Sequence, residues 1–351
     1  MLKIPKEVEF VVQELEKSGC EAYVVGGCVR DLLLAREPED WDVTTNAKPE
    51  EVQKIFPENF YENKFFTVTV RTGSDNPKLK EIEVTTFRSD HKYTDRRRPG
   101  EVRYAKTLQE DLSRRDFTVN AIALRGSEVI DPFEGRKDLK ARVIRAVGEP
   151  KARFQEDALR MMRAARLATV LNFAIEGKTK KAIQGQSSLL REISEERVRD
   201  EFLKIIMADH AMKGIELLHE LELLRHIVPE LEEGYGVEQN KHHKYTVWEH
   251  NVYSLDYAAK QKWNSSVRIA SLLHDVAKPR VKQGTGPNAT FYNHEMAGAK
   301  MAKQILSRLK FSGKDVETIT KLIRYHMFYY NVDEVTESSV RRLVRKIGEE
   351  H

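Results

Sequence analysis

The sequence predicts an α+β protein, in which a head that mixes strands with helices is followed by two all-helical regions. Short β-branched runs bounded by Gly, Pro, Asn or Asp occur in the first third of the chain: YVVGG, WDVTT, FFTVTV and EIEVTTF. From about residue 137 onward, the strand signal gives way to long helical patterns such as ARFQEDALRMMRAARLATVL. After about residue 240, histidines become frequent between helical segments, which indicates a region with its own chemistry.

The length of 351 residues exceeds what one compact core accommodates, so two or three domains are expected. We place them at residues 1–136, 137–235 and 236–351, with the last boundary in the polar, glycine-containing stretch EEGYGVEQNKHHKY. They are expected to be a small mixed-sheet head, a helical neck and body, and a helical histidine-rich domain.

Composition excludes a membrane protein and favours the cytoplasm. With 40% hydrophobic and 32% charged residues, and no apolar stretch of spanning length, the chain is of the soluble globular type. Its first residues predict an amphipathic helix (Val8, Val11, Val12, Leu15) without a cleavable apolar region. Cys20 and Cys28 have neither metal-site nor redox spacing, which suits a reducing compartment. The net charge of +4 permits a nucleic-acid partner without requiring one.

Residues 23–45, YVVGGCVRDLLLAREPEDWDVTT, contain the first functional pattern. If YVVGG is a strand and CVRDLLLAR is the next helix, Gly26 and Gly27 lie at the helix N-terminus. Free N–H groups and the helix dipole favour a triphosphate there. Arg30 would add a charged donor one turn later. The alternative is an ordinary strand, turn and helix without a ligand.

Two aspartates close the same segment. On a strand WDVTT, Asp40 and Asp42 would point to one face, and two such charges need a cation between them. Two divalent metals about 3.5–4 Å apart can activate a 3′-hydroxyl and stabilise a leaving pyrophosphate. Glu83 in EIEVTTF could complete the cluster from a neighbouring strand, or could be a half-exposed strand residue. A solvated strand face is the alternative for the aspartates, but the order strand, GG, helix, DxD is more specific than either motif alone.

These motifs resemble a known family. GGCVRD followed by EDWDVTT is similar to the head of the DNA polymerase β nucleotidyltransferase superfamily, in the form found in bacterial-type (class II) tRNA nucleotidyltransferases and poly(A) polymerases. Three further segments match that branch in order: RRDFTVNAIA (114–123), DPFEGRKDL (131–139) and RFQEDALRMMRAARLA (153–168). The resemblance runs from about residue 20 to about residue 205 and implies nucleotidyl transfer with Mg²⁺.

The resemblance also implies roles for individual residues. Arg115 and Asp116 of RRDFT would contact the ribose and select NTP over dNTP, because a carboxylate accepts a hydrogen bond only from a 2′-hydroxyl that is present. Taken alone, RRDFTVNA could equally be a basic helix start with Ala and Ile facing the core. The remaining residues that we assign to nucleotide binding are Asn120, Arg88, Arg163 and Arg166.

EDALR is expected to select the base. On a helix, Asp157 and Arg160 are three apart and share a face, so they offer one acceptor and a fork of donors. This set matches the edges of cytosine and adenine, whereas uracil and guanine would leave buried polar groups unpaired. The resemblance implies the same role, a protein template for incoming CTP and ATP. An ordinary surface ion pair is the alternative.

A basic loop precedes RRDFT. Residues 89–107, SDHKYTDRRRPGEVRYAKT, include Arg96, Arg97 and Arg98 in succession. A run of charge is usually a solvated loop, but by resemblance it also suits the flexible loop used in switching from C to A addition. CC-only enzymes are generally shorter here.

The C-terminal region carries WEHN, SLLHDVAK, FYNHEMAG and IRYHM, which contain His250, His274, Asp275, His294 and His326. Imidazoles with a bridging carboxylate suit a divalent transition metal. A single histidine among apolar residues is more often a core residue, but the order H…HD…H…H resembles the HD metal-phosphohydrolase superfamily. The resemblance implies either a phosphoesterase, for example on a 2′,3′-cyclic phosphate at a tRNA end, or a domain that only contacts tRNA. Asp333 is the candidate for a later aspartate of that superfamily.

Together these motifs predict a CCA-adding tRNA nucleotidyltransferase that uses CTP and ATP on a tRNA 3′ end, with no membrane partner. A poly(A) polymerase, or an A-adding or CC-adding enzyme, shares every head motif and is the alternative. An HD phosphohydrolase with a vestigial head, or an RNA-binding protein with unused sites, fits less well because DxD and EDALR are both intact. By resemblance, proteins with an HD domain commonly continue with further helices, whereas this chain stops at RRLVRKIGEEH. We expect either a shortened chain or a compact member of the family.

Overall fold

The structure, a computed structural model, describes residues 2–62, 66–93, 99–241, 243–327 and 336–347. The chain folds into two compact units. The first comprises Met1–Arg160 and Phe173–Ile183, and the second comprises Met161–Asn172 and Gln184–His351. The predicted α+β class is confirmed. Within the described ranges, no helix combines the length and the apolar character needed to cross a membrane.

The first unit contains a mixed β-sheet. Its strands in chain order are β1 (Ala22–Val25), β2 (Asp42–Thr45), β3 (Asn59–Glu62), β4 (Thr67–Arg71), β5 (Glu81–Thr86), β6 (Arg88–Tyr93), β7 (Pro99–Tyr104), β8 (Ala123–Arg125) and β9 (Glu128–Ile130). The sheet has the order β3-β4-β5-β2-β1-β8-β9, while β6 and β7 pair as a separate hairpin. Only β2 and β5 are parallel neighbours in this sheet. All four residues of β1 are buried, as its uninterrupted apolar run predicts for a central strand.

Helices of the first unit pack on this sheet and place its loops. They are α1 (Lys6–Lys17), α2 (Gly27–Leu33), α3 (Pro49–Ile55), α4 (Leu108–Ser113), α5 (Gly135–Ala141) and α6 (Pro150–Glu156), with a 3₁₀ turn at Thr118–Asn120. The predicted N-terminal helix is confirmed, and α1 buries Val8, Val11 and Leu15. The predicted turn from YVVGG into a helix is also confirmed, since α2 begins at Gly27, two residues after β1 ends.

Two short strands correct the prediction that residues 137–235 are all helical. β10 (Val143–Ile144) and β11 (Ala174–Ile175) pair in parallel, so β-branched residues between helices satisfy their backbone groups with each other. Two helices, α7 (Leu159–Leu171) and α8 (Gly177–Gln186), have residues in both units.

The second unit is helical where it is described. Its helices are α9 (Glu195–Ile206), α10 (Ala211–Glu220), α11 (Pro229–Glu232), α12 (Val247–Lys260), α13 (Ser265–Leu273), α14 (Lys278–Val281), α15 (His294–Arg308), α16 (Gly313–Tyr325) and α17 (Glu337–Ile347). Its 3₁₀ turns are Ser187–Glu192, Leu224–His226 and Gly286–Asn288. α12 packs on α13, and α13 and α15 both pack on α16. This packing gathers the histidine segments, because His250 is in α12, His274 follows α13, His294 begins α15 and His326 follows α16.

The predicted strand WDVTT is shorter than expected. β2 begins at Asp42, and Asp40 lies in a bend before it. The side chain of Trp41 is buried, and the Trp41 carbonyl accepts the N–H of Glu83. Hydrogen bonding between β2 and β5 therefore starts at Trp41, after Asp40. The inference that Asp40 and Asp42 share a face because they alternate on one strand is therefore wrong.

The continuous helix predicted across RFQEDALRMMRAARLA is also wrong. α6 ends at Glu156 and α7 begins at Leu159, with Asp157 in extended conformation between them (φ −144°, ψ 105°). The Asp157 carboxylate accepts the N–H of Leu159 at 3.0 Å. Aspartate competes with the helix in this way by binding nearby backbone N–H groups, which is why it favours helix starts. Asp157 and Arg160 consequently do not lie on one face of a single helix.

Candidate functional site

Gly26 stands at the centre of the first candidate site, in the turn between β1 and α2. Its backbone has φ +86° and ψ −138°, a conformation that glycine adopts without steric cost. A Cβ atom at this position would lie 2.8 Å from Arg115 Nη1 and 3.2 Å from Asp42 Oδ2. The absence of a side chain therefore lets a guanidinium and a carboxylate approach the same point of the backbone.

The carboxylates predicted to bind metal are close enough to affect one another. Asp42 on β2 is the register partner of Glu83 on the parallel neighbour β5. Burial raises the pKa of Asp42 to about 6, with Arg115 lowering it and with Asp40 and Glu83 raising it further. Asp40 and Glu83 are both exposed. Asp42 and Glu83 are thus in register on neighbouring strands, and Asp40, in the bend before β2, is near enough to raise the pKa of Asp42.

Three of the predicted nucleotide-binding residues form a hydrogen-bonded chain. Arg30 Nη1 donates to Asn120 Oδ1 at 2.7 Å, and Asn120 Nδ2 donates to Asp116 Oδ1 at 3.2 Å. The buried Asp116 also accepts the N–H of Phe117. RRDFT follows the end of α4 at Ser113 and leads into the 3₁₀ turn Thr118–Asn120, with Ala121 and Ile122 buried after it, so the alternative of a helix start with Ala and Ile facing the core holds only for a 3₁₀ turn.

Sequence reasoning missed Asp111, which organises the arginines. Its fully buried carboxylate accepts from Arg114 Nε at 2.9 Å, from the Arg88 backbone N–H at 3.3 Å and from Thr44 Oγ1 at 3.3 Å. Arg115 Nη2 lies 3.6 Å from the same carboxylate. Burial raises the pKa of Asp111, but Arg114 and Arg115 outweigh this and hold it below its ordinary value. The i,i+3 and i,i+4 spacing in DLSRR was the available signal.

The predicted base-selecting residues lie beside this network. The buried Arg160 guanidinium donates to Glu156 Oε2 at 2.5 Å and to the Arg114 carbonyl at 3.2 Å. Because Arg114 is the first residue of RRDFT, the second contact joins the EDALR segment to RRDFT. Glu156, which sequence reasoning did not select, therefore helps to hold the guanidinium in place. Asp157 is half-buried at the break between α6 and α7.

Two of the predicted nucleotide-binding residues belong to the second unit. Arg163 and Arg166 lie on the part of α7 that belongs to the second unit, where Arg166 pairs with the buried Glu201 at 2.7 Å. Their role in nucleotide or RNA binding stays a prediction. The arginine run at 96–98 lies outside the described residues.

A second candidate site is a histidine cluster around Asp275 in the second unit. Asp275 Oδ2 lies 3.4 Å from His250 Nε2 and 3.2 Å from His274 Nε2. Its Oδ1 lies 3.4 Å from His294 Nε2 and 3.7 Å from His326 Nε2. The imidazoles also meet in pairs, with Nε2 atoms 3.0 Å apart for His250 and His274 and 3.3 Å apart for His294 and His326. One buried carboxylate thus connects two histidine pairs.

The imidazoles of this cluster are oriented as metal ligands are. Nδ1 lies within hydrogen-bond distance of the backbone carbonyl three residues earlier in His274 (2.9 Å), His294 (2.8 Å) and His326 (2.7 Å). A proton on Nδ1 leaves the Nε2 lone pair facing inward. Burial and the nearby His274 lower the pKa of both His250 and His326 to about 4, so these rings are neutral near pH 7.

Two overlapping ligand groups can be drawn in the described residues: His250, His274 and Asp275, and Asp275, His294 and His326. Within each group the ligand atoms lie within 4.8 Å of one another, whereas no such trio occurs among the described residues of the first unit. Burial would raise the pKa of Asp275, but His274 and Lys278 keep it well below its ordinary value. Asp333 lies outside the described residues.

Lys278 and Gln239 complete the surroundings of this cluster and were missed by sequence reasoning. The buried Lys278 ammonium donates to Gln239 Oε1 and lies 2.7 Å from Asp275 Oδ2. A cavity of about 350 Å³ opens here, lined among others by Lys278, Tyr245 and Met327. In HDVAK the lysine follows the aspartate at i,i+3, which was the signal in the sequence. No local signal indicates Gln239.

Comparisons with known proteins match each part of the chain. Three family profiles match it: "Poly A polymerase head domain" over residues 22–145, "Probable RNA and SrmB- binding site of polymerase A" over 172–234, and "HD domain" over 247–347. The CCA-adding enzyme of Lactobacillus helveticus is 46% identical over 215 residues, 61% of this chain and 53% of that protein. The CCA-adding enzyme of a Geobacillus species is 44% identical over 224 residues, 62% of this chain and 53% of that protein. The chain therefore spans about half the length of the curated relatives that it matches.

Solved structures extend the similarity along the chain. The crystal structure of the Bacillus stearothermophilus CCA-adding enzyme in complex with CTP is 30% identical, with a TM-score of 0.63, and the match covers 98% of this chain and 82% of that one. The Thermotoga maritima CCA-adding enzyme complexed with tRNA has a TM-score of 0.65 at 20% identity, covering 99% of this chain and 80% of that one. At that identity the second match concerns the fold alone.

Proposed function

This chain belongs to the family of the CCA-adding enzymes, and we propose that it adds C, C and A to tRNA 3′ ends, using CTP and ATP and no nucleic-acid template. In each step the 3′-oxygen of the RNA bonds to the α-phosphorus of the nucleotide, and the bond to pyrophosphate breaks. The observation that carries the proposal is the approach of Asp42 and Arg115 to one point at Gly26. In this proposal Asp42 binds the metal and Arg115 contacts the nucleotide, and both side chains lie beside the glycine turn that would hold the triphosphate.

Nucleotidyltransferases of this family use divalent metals, and the carboxylates here fit one. Asp42 is half-buried beside two further acids, and its pKa is raised first by burial and then by Asp40 and Glu83, so a bound cation would offset the repulsion between these carboxylates. Asp40, Asp42 and Glu83 would hold Mg²⁺, which supplies activation of the 3′-hydroxyl and stabilisation of the pyrophosphate.

The other residues of the first site bind and orient the nucleotide in this proposal. Arg30 and the backbone at Gly26 and Gly27 would bind phosphate, and Arg115 and Asp116 would contact the ribose. The Phe117 N–H and Asn120 Nδ2 both donate to Asp116 Oδ1, which fixes the orientation of the carboxylate.

Asp157 and Arg160 would present the acceptor and the donors that distinguish C and A from U and G. Support comes from the hydrogen bond between Arg160 and the Arg114 carbonyl, because Arg114 directly precedes Arg115, which would contact the ribose. The hydrogen bond from Arg160 to Glu156 fixes the guanidinium before a base arrives, which reduces the cost of ordering it.

The histidine cluster favours a second activity, hydrolysis of a phosphoester with a divalent transition metal. Neutral imidazoles that face a shared carboxylate suit such an ion, which would activate water. Lys278 would place a positive charge beside the phosphate. His250, His274, Asp275, His294 and His326 are the proposed ligands.

The experiment that tests the main proposal uses three forms of one tRNA, ending before CCA, after C and after CC. Each is incubated with the full chain, Mg²⁺ and one labelled nucleotide at a time. The proposal predicts CTP incorporation on the first two and ATP incorporation on the third. Long A tracts would indicate a poly(A) polymerase, and failure to add A to the third would indicate a CC-adding enzyme. Asp42→Asn should abolish incorporation, with Asp75→Asn in an exposed turn as the matched control. A tRNA substrate also makes the cytoplasm the proposed compartment.

A further inference from the structure

Exposed aromatic rings form a track on the histidine-rich region that the activities above do not use. Tyr245, Tyr253, Tyr257 and Trp263 are 40%, 42%, 57% and 43% exposed. The ring centroids of Tyr245 and Tyr253 are 4.8 Å apart, and those of Tyr257 and Trp263 are 5.6 Å apart. We call these four residues the aromatic track.

The track starts at the histidine cluster and leads away from it. His250, Tyr253 and Tyr257 are spaced i, i+3 and i+7 on α12, so they lie on one stripe of that helix. The seven residues from His250 to Tyr257 span about 10 Å at 1.5 Å per residue, which corresponds to about three stacked bases. A strand lying on the track would therefore bring its end to the candidate metal ligands.

Backbone contacts hold both ends of the track in place. At the near end, Gln239 Nε2 donates to the Tyr245 carbonyl at 3.0 Å, while Gln239 Oε1 accepts from Lys278. At the far end, Arg268 Nε donates to the Trp263 carbonyl at 2.9 Å. Both Gln239 and Arg268 are buried. The rings are thus presented by fixed backbone, which lowers the entropy cost of binding a ligand.

Positive charge at the near end of the track favours a polyanion, whereas the lysines at the far end are neutralised by aspartates. Lys244 Nζ lies 5.7 Å from the centroid of the Tyr245 ring, and Lys241 is exposed nearby on the same segment. At the far end, Lys260 and Lys262 pair with Asp256 and Asp209. Aromatic rings with lysines beside them are the usual platform for single-stranded nucleic acid, because each base has a face to stack and each phosphate needs a cation.

We propose that the aromatic track binds single-stranded RNA and leads its end into the cavity beside Asp275. This inference rests on the proposed function in that both require the protein to bind RNA. Each ring stacks on one base without selecting its identity, and Lys244 and Lys278 face the phosphates near the centre.

Fluorescence anisotropy with a 5′-labelled eight-nucleotide RNA and the full chain measures this binding. Tyr253→Ala and Tyr257→Ala should each weaken the RNA affinity at least about fivefold, since one stacked base is lost in each. Tyr253→Phe should retain the affinity, because it keeps the ring and removes only the hydroxyl. Phe60→Ala, a 59% exposed ring on β3, is the matched control and should change the affinity less than twofold.

Three outcomes would overturn the proposal. One is unchanged RNA affinity in both alanine variants, with their circular dichroism equal to that of the wild type. Another is photo-cross-linking of a 4-thiouridine RNA that yields no cross-linked peptide from residues 243–263. The third is a lower sedimentation coefficient in the variants with unchanged RNA affinity, which would make the track an interface between copies. Incorporation of CTP and ATP into tRNA is measured on the same samples. Its absence in the wild type would refute nucleotidyl transfer while leaving the result for the track intact.

Discussion

Asp42→Asn should make the first unit more stable while abolishing nucleotide incorporation. The pKa of Asp42 rises from 3.8 to about 6 on folding. Because the folded pKa is the higher one, the stabilising contribution of the protonated carboxyl is complete below about pH 3.8 and is lost as the pH rises through 6. At about 1.4 kcal/mol per pKa unit, the carboxylate costs the fold about 3 kcal/mol at neutral pH. Asparagine has the same shape and removes this cost.

The free energy of unfolding of the wild type should depend on pH through Asp42. Between about pH 4.5 and about pH 7.5, the wild type should lose about 2 kcal/mol of stability that Asp42→Asn does not lose. Hydrogen exchange of the buried β1 and β2 amides, corrected for intrinsic rates, reports this free energy for the first unit alone. Asp75→Asn should follow the wild type within about 0.5 kcal/mol, as surface substitutions do.

Magnesium provides an internal check on the same amides. A cation that binds only the folded state stabilises it by mass action, so Mg²⁺ should increase protection in the wild type and much less in Asp42→Asn. The reasoning is refuted if Asp42→Asn is no more stable than the wild type at about pH 7.5. It is equally refuted if the two proteins show the same pH dependence.

Three further changes test other contacts. Gly26→Ala should lower the rate of nucleotide incorporation at least about tenfold, because the new Cβ would displace Arg115. Gly148→Ala controls for backbone strain, because Gly148 has a similar φ but open space around it. Steady-state rates of CTP incorporation measure the effect, and an equal loss of rate in Gly26→Ala and Gly148→Ala would contradict the role of the open space at Gly26. Glu156→Gln should reduce the preference for CTP over UTP by about tenfold, since Arg160 loses a charge-assisted hydrogen bond; an unchanged preference in single-turnover assays would argue against the positioning role. His274→Ala should remove tight binding of one transition-metal ion in calorimetry and leave CTP incorporation within about twofold, whereas His210→Ala should change neither. Retained metal binding in His274→Ala would contradict the ligand assignment.

The fold class and the turn at Gly26 could be predicted because local rules and tertiary packing agree there. A buried β-branched run followed by two glycines leaves few alternatives to a strand and a tight turn into a helix. The histidine segments could be selected by their order in the sequence. Which imidazole faces which oxygen of Asp275 depends on how α12, α13, α15 and α16 pack, and no local pattern contains that information.

The break at Asp157 could not be predicted because EDALR has helical spacing on both sides of it. The Asp157 carboxylate accepts the Leu159 N–H at the break, and the hydrogen bond from Arg160 to the Arg114 carbonyl, 46 residues away, is a contact that the local pattern does not contain. Asp40 was misplaced for a similar reason, since burial of Trp41 determines where β2 begins. Gln239 escapes sequence reasoning because its role depends on contacts made only in the folded chain, whereas the spacing in DLSRR was a signal for Asp111.

The sequence of the nucleotides added to one tRNA tests the central claim most directly. A tRNA ending before CCA is incubated with the full chain, Mg²⁺ and all four nucleotides at equal concentration, and the 3′ ends are then sequenced. We expect C, C and A, in that order and with no further addition. Ends that carry U or G, that stop at CC, or that grow into A tracts would contradict the proposed function.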